Sequence, residues 1–110
     1  MMNPEDKPIP CKKFEYAPAM AWVAKLIEDT DEVVQEAAEY HKILEHGHGN
    51  IYPDRAKAIK EGLAMGLTDI ITVCTSWLYA IGYDEDTRCQ LQRCVNEKNR
   101  KRGYHDEANF

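Results

Sequence analysis

The sequence has no CxxC pair, no long single-sign charge block and no run of alternating apolar and polar residues long enough to read as a strand. The first absence argues against a zinc site, because structural zinc wants closely spaced ligand pairs. The four cysteines, Cys11, Cys74, Cys89 and Cys94, also lack the dense spacing of a disulfide scaffold, so they read as reduced, buried small side chains. Basic residues are in the minority. With a net charge of −5 and a pI near 5.3, a dedicated nucleic-acid binder is not expected, since phosphate neutralisation needs a basic surface. No positive stretch followed by an apolar run opens the chain, whose first fifteen residues are polar, charged and proline-bearing. A cytoplasmic location follows as the expectation.

What is present is helical patterning in a chain of 110 residues, the size of one domain. Residues 1–16, with Pro4, Pro8 and Pro10, read as an extended arm, 17–103 as a helical domain and 104–110 as a tail. A long amphipathic helix is predicted from near Pro18 to about Glu45, where Val23, Leu26, Ile27, Val33, Val34, Ala37, Ala38 and Leu44 recur at helical spacing. The stretch from His46 to Pro53 is rich in glycine and reads as the loop of a helical hairpin. His41, His46 and His48 lie in or beside it and read as loop residues rather than as a metal cluster. A second helix is predicted from about Asp54 to Ile81, with Gly82 as its stop signal. Asp84 to Thr87 reads as an N-cap cluster for a third helix, which carries Leu91, Cys94 and Val95 on one face and ends before Gly103.

Two helix faces carry the chemistry. On the first helix, Trp22, Lys25, Asp29, Glu32 and Glu36 fall within a sector of roughly 100°. Carboxylates stacked in this way repel unless they are solvated, paired with Lys25 or neutralised by cations. On the second helix, Asp69 is the only charged residue between Glu61 and Asp84. There, Leu63, Leu67, Ile70, Ile71, Cys74, Trp77, Leu78 and Ile81 form a wide apolar face. Gly62, Gly66, Asp69, Thr72, Val73 and Ser76 form a small, polar one that reads as a pocket wall. The run is about as long as the ~20 residues a bilayer span needs, but Asp69 near its centre and the hydroxyls alongside it make insertion costly, so no membrane partner is expected. A carboxylate in such surroundings would pair with a basic residue or with a metal. Magnesium or manganese suits a set of oxygen ligands and bridges readily to phosphates.

At these residues the chain resembles the MazG-like nucleoside triphosphate pyrophosphohydrolases, whose signature is Glu-x-x-Glu on one helix and Glu-x-x-Asp on a later one. Lys25-Leu-Ile-Glu-Asp-Thr-Asp-Glu-Val33 is similar to the family's first motif. Gly66-Leu-Thr-Asp-Ile-Ile-Thr-Val73 with Leu78-Tyr-Ala-Ile-Gly-Tyr-Asp84 is similar to the second, and Val95-Asn-Glu-Lys-Asn-Arg-Lys-Arg-Gly103 to its C-terminal basic cluster. The resemblance runs from Ala21 to Tyr104. It implies an all-α antiparallel bundle completed by homodimer or homotetramer formation. It also implies cleavage of a nucleoside triphosphate to the monophosphate and pyrophosphate with Mg2+ or Mn2+. Asp29, Glu32 and Asp69 would be catalytic, and these three with Glu36 and Glu28 would hold metal. Lys25, Lys98, Asn99 and Arg102 would bind substrate; by themselves the last three are equally a solvated basic helix end. Trp22, Phe14 and Tyr16 are either base-stacking or core and subunit-contact residues.

Two departures stand out. Asp29 replaces the usual first glutamate, and Gly66 stands where the family has the glutamate three residues before the aspartate. Glu61 lies about 12 Å along the helix from Asp69 and does not substitute for it. The alternative implied by Gly66 is a non-catalytic nucleotide-binding or interaction protein.

Overall fold

The computed structural model describes residues 3–45 and 53–107. It contains three helices, α1 (Ala19–Glu45), α2 (Pro53–Ala80) and α3 (Glu85–Lys101), preceded by two 3-10 turns, Pro4–Asp6 and Lys12–Phe14. Among the described residues there is no strand, so the all-α expectation holds. The predicted loop with His46 and His48 lies outside the described residues.

The helix ends follow from local chemistry. Pro53 opens α2, where a missing N–H costs nothing and the ring pre-sets φ. At its other end Gly82 takes φ +105°, the Gly82 N–H donates to the Tyr79 carbonyl, and the Tyr83 N–H reaches back to Leu78 at 3.0 Å. This paired closure needs a left-handed residue, which glycine supplies at least cost. Asp84 then caps α3: its carboxylate accepts from the Thr87 N–H at 2.9 Å and from the Thr87 hydroxyl at 2.9 Å. Gly103, at φ +76°, closes α3 in the same way as Gly82 closes α2.

The packed helix pair is α1 against α2, and its register can be read from three contacts. Glu36 lies against Gly62, Val33 against Gly66, and Trp22 stacks on Trp77 with centroids 6.4 Å apart and planes 8° from parallel. As residue numbers fall along α1 they rise along α2, which makes the hairpin antiparallel.

This hairpin is assembled with its small, polar faces inward. Among the described residues the buried apolar ones are Trp22, Ile43 and Val73, and they are joined by buried Asp29 and Ser76. Apart from Trp77, which stacks on Trp22, the wide apolar face turns away from α1, leaving Leu67 and Ile71 of α2 and Ile81 just beyond its end about half exposed or more. On α1, Ile27 and Val34 also face outward. All four cysteines are free and exposed, which corrects the expectation that they are buried: Cys74 rides on the outward face of α2. By length and composition α2 could cross a membrane, and only 11% of its apolar window is buried within the chain. The radius of gyration is 17.3 Å, against about 13 Å for a close-packed chain of this length.

The N-terminal arm is pinned to α2 and to the first residue of α3 rather than free. The Cys11 N–H donates to the Ser76 hydroxyl at 2.9 Å, and that hydroxyl donates to the Thr72 carbonyl at 2.7 Å. The Lys12 ammonium sits 5.4 Å from the Tyr79 ring centroid, and Lys7 pairs with Glu85 at 3.2 Å.

Candidate functional site

The carboxylates of α1 fall into two situations. Asp29 is buried at 6% exposure and receives the Lys25 ammonium at 3.2 Å, while the exposed Glu28 shares the same ammonium at 3.6 Å. Hydrogen bonding to Asp29 and the charge beside it, seconded by Glu28, hold Lys25 above its ordinary value. The acidic stripe is therefore partly neutralised from within the helix, one of the outcomes the spacing allows. Glu32 is exposed. Glu36 is half-buried, and its Oε2 is buried with no hydrogen-bond partner among the described residues. A Cβ placed on Gly62 would stand 2.6 Å from that oxygen, so glycine is what lets the carboxylate lie against α2. Glu36, Gly62, Arg55 and Glu39 line an open depression of about 420 Å3.

Asp69 is exposed. Water reaches it, so its place in an apolar run does not by itself call for a counter-charge, and it forms no ion pair among the described residues. The hairpin register nevertheless sets Asp69 of α2 level with Asp29 of α1. Among the described residues, no three His, Cys, Asp or Glu side chains converge as a ready-made metal cage. Asp29, Glu32, Glu36 and Asp69 offer only carboxylate oxygens, the type a hard divalent cation takes, and Glu36 Oε2 is such a donor with no hydrogen-bond partner among the described residues.

Gly66 is explained by packing. A Cβ there would stand 2.9 Å from Val33 Cγ2, a stiff β-branched neighbour with little freedom to move. The close approach of the helices at this level excludes the side chain that the resemblance leads one to expect.

The small face of α2 is a pocket wall only in part. Gly62 and Gly66 pack on α1, whereas Thr72, Val73 and Ser76 line a cavity of about 410 Å3 that the arm closes with Cys11 and Phe14 and α1 closes with Ala21, Trp22 and Lys25. Trp22 is a core residue stacked on Trp77, its Nε1–H buried without an acceptor among the described residues. Phe14 is a cavity wall, and Tyr16 is 92% exposed. The sequence pointed to these aromatics but not to the enclosure, since the arm docks through contacts distant in sequence, among them one hydroxyl, Ser76, of several on α2.

Lys98, Asn99 and Arg102 close α3, which does not pack on α1 or α2 to a comparable extent. Lys98 lines a shallow depression with Arg93, Glu97 and Lys101. The Asn99 carbonyl accepts the Tyr104 N–H, and the Arg102 guanidinium lies 5.9 Å from the Tyr104 ring. No described contact brings this basic end to the carboxylates of its own chain. His41 pairs with Glu45 at 2.9 Å on the surface.

Comparison with family models, curated proteins and solved structures returned no match.

Proposed function

We propose that the chain is a metal-dependent nucleoside triphosphate pyrophosphohydrolase of the MazG-like type, acting in the cytoplasm as a homo-oligomer. The observation that carries this reading is the hairpin register, which puts Asp29 and Asp69 level on facing helices. Asp29, Glu32, Glu36 and Asp69, with Glu28 adjacent, would hold Mg2+ or Mn2+. When bound, such an ion polarises phosphoryl oxygens and makes water a stronger acid at neutral pH.

The chain's own residues supply position and charge. Lys25 holds Asp29 in place and reaches the rim of the aromatic-walled cavity, so a base lodged there would have its phosphates directed toward the carboxylates. Lys98, Asn99 and Arg102 would bind phosphates from a neighbouring copy, because their own helix stands away from the hairpin.

A second reading is favoured by one observation: the Val33 methyl beside Gly66 leaves no room for a further ligand on α2. On that reading the protein binds nucleotide with magnesium but does not cleave it.

Incubation with canonical and modified nucleoside triphosphates and magnesium decides between them. Pyrophosphate release that disappears in Asp69→Asn supports the enzyme. Magnesium-dependent binding without turnover supports the second reading, and neither binding nor release from any nucleotide overturns both.

A further inference from the structure

Close-packed interiors leave few voids larger than a water molecule, yet the arm and the hairpin frame about 410 Å3 among Phe14, Ala17, Ala21, Trp22 and Val73. Volumes of about 300–1,000 Å3 are those of small-molecule sites. An apolar cavity of about 150 Å3 takes benzene, so this recess has room for two or three rings.

Two polar groups on its wall are already engaged. The Ser76 hydroxyl accepts from the Cys11 N–H and donates to the Thr72 carbonyl, and the Lys25 ammonium at the rim is shared by Asp29 and Glu28. A ligand with many donors and acceptors would lose its water here without recovering equivalent bonds. An anionic one would meet a cation already matched by two carboxylates. One donor is left over: Trp22 is 6% exposed, and its buried Nε1–H has no acceptor among the described residues.

We propose that the recess is a binding site for an uncharged aromatic molecule of two or three rings that carries a single hydrogen-bond acceptor. The rings lie against Trp22 and Phe14 in the space left by two alanines, and the acceptor takes the Trp22 N–H. Because Cys11 and Phe14 belong to the arm, the ligand is held beneath it.

The site goes beyond the nucleotide reading and does not need it. If that reading holds, the ligand competes with the base for the recess and acts as a regulator rather than a substrate. If it fails, the recess and its walls are unchanged.

Prodan, an uncharged naphthyl ketone whose emission moves to the blue in apolar surroundings, tests the site in the full chain without magnesium or nucleotide. Both tryptophans of the chain stand at the recess, Trp22 on its wall and Trp77 stacked on Trp22, so their emission excites the bound probe. The expected result is saturable binding of one prodan per chain with energy transfer from tryptophan. Ala21→Phe, which fills the space from an exposed helix position, should weaken binding by about tenfold or more. Ile71→Ser, on the outward face of α2, should leave binding unchanged.

Because Ala21→Phe also alters the seat of the arm, a second measurement uses the wild type alone. Saturating prodan should slow alkylation of Cys11 by iodoacetamide several-fold. Cys74, Cys89 and Cys94, likewise free and exposed but outside the recess, should keep their own rates. No saturable binding, binding lost in Ile71→Ser but kept in Ala21→Phe, or protection of Cys74 in place of Cys11 would each overturn the site. Prodan binding by a chain that releases no pyrophosphate would support the site and count only against the nucleotide reading.

Discussion

Val33 and Gly66 touch across the hairpin: the Val33 Cγ2 methyl lies 2.9 Å from the position a Cβ on Gly66 would take. One close approach thus accounts for a glycine that, set beside the motif the chain resembles, looks in sequence alone like the loss of a ligand. Gly66→Ala should cost stability despite the helix propensity it gains. Propensity contributes about 1 kcal/mol in its favour, while overpacking costs about 1–3 kcal/mol. Chemical denaturation should show a net loss of about 1 kcal/mol, recovered in part by Val33→Ala in the same chain. Gly66→Glu, which supplies the residue found in the motif the chain resembles, should disrupt the hairpin rather than raise turnover. A stable, more active Gly66→Glu protein would contradict this account.

Glu36 offers a sharper test of the metal reading. Its Oε2 is buried and has no hydrogen-bond partner among the described residues, and an unsatisfied buried acceptor costs about 1–3 kcal/mol. In chelator, Glu36→Met should therefore be as stable as the wild type or more so. Adding magnesium should raise the melting temperature of the wild type and leave the variant unchanged. If magnesium stabilised both proteins equally, Glu36 would not be a ligand.

The arm should be released by a single atom change. Ser76→Ala removes the acceptor for the Cys11 N–H, at a cost of about 1 kcal/mol, and opens one side of the cavity. Trypsin should then cut after Lys12 and Lys13 several-fold faster than in the wild type. Unchanged cleavage would mean that the Lys12–Tyr79 and Lys7–Glu85 contacts hold the arm without it.

Asp84 and Lys25 act at opposite ends of the pH scale. Donation from the Thr87 backbone N–H, then from its hydroxyl, holds Asp84 below 3.8. Its folded value is depressed, so the cap contributes above 3.8 and fades as pH falls through the folded value. Asp84→Ala should melt earlier than the wild type at neutral pH, and the gap should close in acid. Lys25 is raised above 10.5 by Asp29, so its contribution is complete below 10.5 and is lost as pH rises through the folded value. Lys25→Met should differ from the wild type at neutral pH and converge with it in strong alkali. Thermal melts across the range check both signs.

Helix existence and helix ends were legible in the residues because their causes are local. Gly82, Asp84, Thr87 and Gly103 each act within about one turn of themselves, and no distant partner alters what they do. The acidic sector of α1 was legible for the same reason, as was the Lys25–Asp29 pair at i, i+4. Asp69 was read less well. Its setting in an apolar run suggested burial, but burial depends on which face a neighbour covers, and α1 leaves its carboxylate open to water.

By itself, then, the order of residues determined three helices, their limits and a stripe of carboxylates, all consequences of contacts four or five positions apart. Only the tertiary structure decided that α1 and α2 meet through glycines, that the arm closes a cavity at Ser76, and that the apolar face of α2 is left outward. The reason is physical: a helix with two usable faces does not specify which one a neighbour takes. Here the closer approach permitted by Gly62 and Gly66 sets the hairpin, leaving the larger apolar surface uncovered.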